Sequence, residues 1–179
     1  MMEDLSLHLL DIAENAVEAK ARRVDIRVEE RRSRDKLVLV VTDDGRGMGP
    51  RQLARARDPF YTTKKVRRVG LGLPLLAQAA ESAGGTLRLR SEPGRGTKVR
   101  ATFKLGHIDR QPLGDVAETL VALLAGHPEV EFSYTHVTDT GRYVFRSREA
   151  AARRPPGATA VSGIRKNIRD GLARLRRMS

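Results

Sequence analysis

Val24, Ile26 and Val28 alternate with charged residues, and Leu37–Val41 is an unbroken apolar run beyond the polar stretch RRSRDK. Alternation of period two followed by an apolar run predicts two strands joined by a turn. Ahead of them, Leu5, Leu9, Ile12 and Ala16 recur at steps of three and four, which predicts a helix from about Asp4 to Lys20 with one apolar face. Residues 50–57 open with Pro50, a residue suited to the first helical position. Residues 71–83, LGLPLLAQAAESA, read as a further helix closed by Gly84-Gly85, and TLRLRSEPGRGTKVRATFKL as a hairpin turning through SEPGRGT. The order over residues 1–105 is that of an α+β sandwich, one largely antiparallel sheet with helices on one face.

The pattern changes after GHIDRQP. GDVAETLVALLAGHP predicts a helix over 114–126 with Val116, Leu120 and Leu123 inward, ended by Gly126 and Pro128. EVEFSYTHVTDTGRYVFRS predicts a second hairpin turning at Asp139-Thr140-Gly141, and AARRPPGATA reads as a linker. The last segment carries Ile164, Ile168, Leu172 and Leu175 at helical spacing, with arginines on its other faces. The expected organisation is a domain over 1–105, a small helix-plus-hairpin module over 106–150, and a linker with a basic amphipathic helix over 151–179. The module is too small for a core of its own, so it is expected to pack on the first sheet or to help form a dimer. Phe132, Tyr134, Tyr143 and Phe145 alternate along its strands, which suits either a local core or a partner-binding face.

Composition removes several classes. Aromatic residues make up only 4% of the chain, which counts against a base-stacking nucleic-acid platform. Cysteine is absent, which excludes disulfide frameworks, thiolate metal sites and cysteine nucleophiles. No run approaches the ~20 apolar residues of a membrane span, and the N-terminus is acidic where a signal peptide would be basic. A cytoplasmic location is expected. The net charge of +12 lies in residues 1–105 and 151–179, whereas 106–150 is net acidic. The basic tail therefore suits nucleic acid, an anionic membrane or an acidic partner, or else a helix docked on its own domain with a solvated charged face.

Candidate chemistry begins on the first helix, where His8, Asp11, Asn15 and Glu18 form a polar stripe and Ala13, Ala16 and Ala19 would allow close approach. The strand ending in VVTDDGRGMG runs into two acids and a glycine-alternating turn, which alone is only a turn. Four such stretches occur in order: HLLDIAENAVEA, TDDGRGMG, DPFYTTK and RRVGLGLPLLAQ. Together they resemble the GHKL ATPase superfamily of histidine kinases, DNA gyrase, Hsp90 chaperones and MutL mismatch-repair proteins. Asn15 matches the N box, and Asp43, Gly45 and Gly47 with Met48 match the first glycine box. Asp58-Pro59-Phe60 with Thr62-Thr63-Lys64 resembles the kinase F box. Gly70, Leu71, Gly72 and Leu73 match the second glycine box, and SEPGRGTKV resembles the segment that completes the pocket.

The resemblance covers about residues 4–105. It implies a Bergerat-type two-layer sandwich, a mixed and mainly antiparallel sheet with helices on one face, that binds ATP with Mg²⁺. By the same resemblance Asp43 accepts a hydrogen bond from the exocyclic amine of adenine, Thr97 helps hold an adenine-bound water, and Asn15 ligates Mg²⁺. An amide oxygen is a hard ligand suited to that ion. Gly70 and Gly72, opening a helix, would leave N–H groups free for phosphates, and Lys64 in a short lid would reach the γ-phosphate. No GxxxxGK[ST] loop occurs.

Two departures bear on activity. Asp11 stands where MutL and gyrase carry the Glu that orients the attacking water, one methylene shorter. It is expected either to act as a general base or to cap a helix and polarise the pocket. The chain starts a few residues before the N box, and His8, His107, His127 and His136 lack a phosphoacceptor context, so a self-contained sensor kinase is not expected. Three classes follow: a kinase phosphorylating a partner in trans, a regulatory ATPase or nucleotide-gated switch with a protein partner or as a homodimer, and a nucleic-acid-associated ATPase using the basic tail. The third ranks last because base-reading elements are missing.

Overall fold

The computed structural model describes residues 4–56, 72–152 and 160–178. Helix α1 (Leu5–Glu18) precedes strands β1 (Arg23–Arg31) and β2 (Lys36–Asp43), then helices α2 (Pro50–Arg55) and α3 (Gly72–Ser82). Strands β3 (Thr86–Glu92) and β4 (Gly96–Lys104), helix α4 (Val116–Gly126), and strands β5 (Glu131–Val137) and β6 (Arg142–Arg146) follow. Helices α5 (Ser147–Ala152) and α6 (Ala160–Met178) complete the chain. Local chemistry sets the boundaries. The Asp4 carboxylate accepts from the Leu7 N–H and caps α1, and Asp115 does the same for α4 through the Glu118 N–H. The β1–β2 turn closes through Asp35 at φ 46°, and its carboxylate accepts from the Gly106 N–H at 2.7 Å.

The six strands form one sheet in the order β3-β4-β2-β1-β5-β6. All pairs are antiparallel except β1 with β5, which is parallel; this makes the sheet mixed, as the resemblance implied, although the pairing of β5 with β1 was not expected from the sequence. The second hairpin thus extends the first sheet. Register keeps one parity inward: Ile26 faces Val41, and Val41 faces Val99, all in the common core. Helices α1, α3, α4 and α6 contribute buried residues to the same core, so they cover one face, giving the expected α+β sandwich. Phe132, Tyr134 and Phe145 are buried in that core rather than displayed.

Helix α4 packs on α1, and α6 packs on α4 and β6. Ile168, Leu172 and Leu175 are buried, and Gly171 admits the Tyr143 ring so closely that a Cβ would lie 2.1 Å from it. Arg165 and Arg169 of α6 bridge Glu118, and Arg169 also reaches Asp115. The tail helix is therefore docked, with Lys166, Arg174, Arg176 and Arg177 exposed. The short helix α5 follows β6 directly at the end of the expected module and overlaps the expected linker only at residues 151 and 152. Its Ser147 hydroxyl accepts from the Phe132 N–H at 3.0 Å.

His136, buried beneath α6, joins β5 to β1: its Nε2 lies 2.8 Å from Glu30, and its Nδ1 lies 2.8 Å from the buried Tyr134 hydroxyl. The hydrogen bond from His136 holds the Glu30 carboxyl below its ordinary value against the opposing effect of burial.

Two outcomes test this packing. Ile168→Ala should destabilise the protein by about 2–5 kcal/mol in denaturant unfolding, as for a large buried aliphatic, whereas Arg174→Ala should stay within about 0.5 kcal/mol. A depressed folded pKa means that Glu30 contributes stability above its unfolded pKa, lost as pH falls through the folded one. Glu30→Gln should therefore flatten the acid limb of a stability–pH curve.

Candidate nucleotide-binding site

Strands β2 and β4 end together, and their register sets Asp43 opposite Thr97. Thr97 in turn faces Ser91 of β3. These three share the inward parity of Val41, Val99 and Leu89, so they form the last row of the helix-covered face. The Asp43 carboxylate accepts from the Gly45 N–H at 2.8 Å. Burial pushes its pKa up, and the N–H groups of Gly45 and Thr97 offset this only in part. Its neighbour has the opposite character. Asp44 accepts from the N–H groups of Arg22 and Arg23 and bridges the Arg23 side chain, tying the α1–β1 connection. Desolvation pushes Asp44 up, but those bonds outweigh it and hold the carboxyl below its usual range.

Ser91 was not singled out in the sequence. Its hydroxyl donates to the Gly96 carbonyl at 2.9 Å, accepts from the Met48 N–H at 2.8 Å, and lies 2.9 Å from the Thr97 hydroxyl. It therefore couples the glycine turn after β2 to the residue opposite Asp43. The register Ser91↔Thr97 across the SEPGRGT turn is the signal that could have found it.

The glycines are required by the backbone itself. A Cβ on Gly47, at φ +66°, would lie 1.9 Å from the Glu92 carbonyl oxygen. One on Gly96, at φ +90°, would lie 2.0 Å from the Asp43 carbonyl oxygen. The Gly94 N–H also donates to the Arg46 carbonyl at 2.8 Å. Two turns thus interlock backbone to backbone, leaving no room for a side chain. Gly45 meets Ala19 of the α1 C-cap, whose carbonyl accepts from the Arg46 N–H at 2.8 Å.

Helix α1 supplies the wall. Asp11, Asn15 and Ala19 follow at steps of four on one side. Asp11 lies against Gly72 at the start of α3, where a Cβ would sit 3.2 Å from its carboxylate. Ala19 lies against the glycine turn, and half-buried Asn15 falls between them. Among the described residues the Asn15 amide has no hydrogen-bond partner. Glu14 points elsewhere and lies 2.9 Å from His127 at the end of α4. His8 is buried, with Nε2 3.1 Å from Gln111, and burial pushes its pKa down. Met48 and Leu73 are partly buried against the core. Lys64, Gly70 and Leu71, with the DPFYTTK stretch, lie outside the described residues.

This donor set fits an adenine nucleotide. A partly desolvated carboxylate flanked by hydroxyls offers acceptors for an exocyclic amine and a bound water, and an amide oxygen lies on the adjoining wall. Among the described residues no group of three or more His, Cys, Asp or Glu is placed to hold a metal ion unaided. Among them, too, no helix is long and apolar enough to cross a membrane.

Comparison with known proteins identifies the family and the fold. Residues 3–107 match the family described as histidine kinase-, DNA gyrase B-, and HSP90-like ATPase. The sensor protein kinase FleS of Pseudomonas aeruginosa is 41% identical over 110 residues, 62% of this chain and 27% of that protein. The sensor histidine kinase ZraS of Salmonella typhimurium is 37% identical over 89 residues, 49% of this chain and 19% of that protein. The chain thus spans only a minor part of the length of these relatives. Among solved structures, the Aquifex aeolicus MutL ATPase domain complexed with ADP matches with a TM-score of 0.52 and 18% identity, covering 82% of this chain and 64% of that one. The N-terminal domain of a DNA repair protein matches with a TM-score of 0.56 and 13% identity, covering 82% and 53%. At such identities the two structures speak for the fold. The chain belongs to the histidine kinase-, DNA gyrase B- and HSP90-like ATPase family and carries its ATP-binding domain.

Asp43→Asn should abolish ATP binding in a titration without lowering the stability of the free protein, because it removes a charge that the fold disfavours. A raised folded pKa also means that Asp43 weakens the fold progressively as pH rises through its titration. Nucleotide binding should fade on acidification at a higher pH than an ordinary carboxylate would give. Undiminished ATP binding by Asp43→Asn would contradict the site.

Proposed function

We propose that the chain binds ATP together with Mg²⁺ and does regulatory work, as an ATPase or as a kinase that phosphorylates a partner protein in trans. The observation that carries this reading is the α1 wall, where Asp11 and Asn15 stand between the start of α3 and the glycine turn beside Asp43. Asn15 would hold the metal ion through its amide oxygen, the remaining ligands coming from the nucleotide and water. The ion would supply charge neutralisation at the phosphates. Asp11 would accept the proton of the attacking group, and Lys64 would approach the terminal phosphate from the lid. The kinase names of the relatives support phosphoryl transfer as the outcome.

A second reading, a nucleotide-gated switch with little or no catalysis, has an observation of its own. Asp11 lies against the first turn of α3, where the helix dipole favours an anion, so the carboxylate has a structural use apart from chemistry. Glu14, the other nearby acid, is engaged with His127. The nucleic-acid reading is less supported, since Arg165 and Arg169 of the tail bridge acids of α4. A cytoplasmic location and a protein partner or homodimer accord with the proposed regulatory work.

ATP titration with and without Mg²⁺, together with a γ-phosphate turnover assay, separates these readings. Asn15→Ala should lose the Mg²⁺-dependent part of binding, a weakening of about tenfold or more. If Asp11 is the base, Asp11→Asn should bind ATP normally and turn over about 10²- to 10⁴-fold more slowly. Binding without turnover in the parent protein, unaltered by Asp11→Asn, would favour the switch. Failure to bind any adenine nucleotide would overturn both.

A further inference from the structure

The face of the sheet turned away from the helices carries a feature the nucleotide site does not use. On β3 and β4 it carries Arg88, Arg90, Lys98 and Arg100, and the register sets Arg88 directly opposite Arg100 and Arg90 directly opposite Lys98. Like charges facing each other across an antiparallel pair destabilise it. Here two adjacent pairs are both cationic, with strands about 4.8 Å apart and successive same-face positions roughly 7 Å apart. Among the described residues none of the four has an acidic partner within ion-pair distance. Guarding an exposed edge accounts for charge on β3, which is an edge strand. It does not account for Lys98 and Arg100, because β4 lies inside the sheet between β3 and β2.

The patch is bounded. On β2 the rows continue through Thr42 and Val40, and on β1 they reach Asp25 and Arg27. There Arg27 bridges Glu29, and the Asp25 carboxylate accepts from the Ser133 hydroxyl. Along the strands the next row is Thr86 opposite Thr102, whose hydroxyls bond each other. At the other end the row is Glu92 opposite Gly96, and Glu92 is taken up by Arg95 at 3.4 Å. The four uncompensated cations therefore form a compact square, bordered by Thr86 and Thr102, by Val40 and Thr42 of β2, and by a Glu92 that is already paired. No aromatic residue stands on this face of β2, β3 or β4.

We propose that this open face of β3 and β4 is a docking surface for an acidic segment of a partner protein. A long polyanion such as a nucleic-acid duplex would run on over Val40 and Thr42, which offer it no cation, and over Asp25, whose carboxylate meets only the Ser133 hydroxyl, whereas a short carboxylate-bearing segment matches the patch in sign and extent. Three of the four cations are arginines, whose planar fork takes a carboxylate in two parallel hydrogen bonds. The surface lies on the opposite side of the sheet from Asp43, so a partner held there leaves the nucleotide site open. The repulsion stored in the free protein is relieved when the partner's carboxylates arrive.

The test uses the full chain, a fluorescent oligoglutamate peptide and a DNA duplex of matched total charge, with binding read by anisotropy. Arg88→Glu/Arg90→Glu turns both like-charge pairs into complementary ones. This variant should melt at a higher temperature than the parent, bind ATP equally well, and bind the peptide about tenfold more weakly or worse. Peptide binding by the parent should weaken as salt is raised. Arg174→Glu/Arg177→Glu, on exposed positions of α6, should leave peptide binding unchanged. The proposal is overturned if the β3 variant binds the peptide as the parent does, or if the α6 variant loses it instead. It is equally overturned if the duplex binds more tightly than the peptide, or if the β3 variant melts lower, since the repulsion on which the inference stands would then be absent.

Discussion

The register of β2 against β4 is the constraint on which the rest depends. Asp43 faces Thr97, and Thr97 faces Ser91, so one inward row closes the sheet at the end where two turns meet. A slip of one residue would carry that row to the open face and move the core row of Val41 and Val99 with it. Apolar burial thereby fixes the position of a polar site. The interlocked glycines make the same point at closer range. With Gly47 against Glu92 and Gly96 against Asp43, neither turn can shift without the other.

Helix α1 translates this rigidity to the far wall. Its Leu5, Leu9 and Ile12 are buried, its Ala19 supports the glycine turn, and its Asp11 borders α3. The same helix reaches α4 through the pair of Glu14 and His127, and α4 holds α6 by buried contacts and by the arginine bridges. Site, sheet extension and tail helix are therefore connected through one element. An event at the tail helix has a packed route to the site wall by way of α4 and α1.

Much of this was legible in the sequence, for physical reasons. Alternation at Val24, Ile26 and Val28 and the helical spacing of Leu5, Leu9 and Ile12 record burial directly, and those elements form where the pattern puts them. The Asp43 turn could be read only in company, because Asp-Asp-Gly alone is an ordinary turn and the ordered set of four motifs is what singled it out. Pairing partners were harder. Nothing in the local pattern of Glu131–Val137 says that it will lie parallel to β1, because a period of two records faces and not neighbours. Ser91 was missed for a related reason: a serine in a hairpin is ordinary until its cross-strand partner is known. The aromatic positions of β5 and β6 left two readings open, and the parallel pairing with β1 decides for the core.

Competition between ATP and GTP for the free protein probes the Asp43 row itself. Asp43 is a carboxylate acceptor held by strand register, and guanine presents a carbonyl oxygen where adenine presents an amine. ATP should displace a bound fluorescent adenine nucleotide and GTP should not, with a preference of at least about a hundredfold, the equivalent of roughly 2.7 kcal/mol. Equal displacement by the two would contradict the placing of the base against Asp43, and with it the site built around that row.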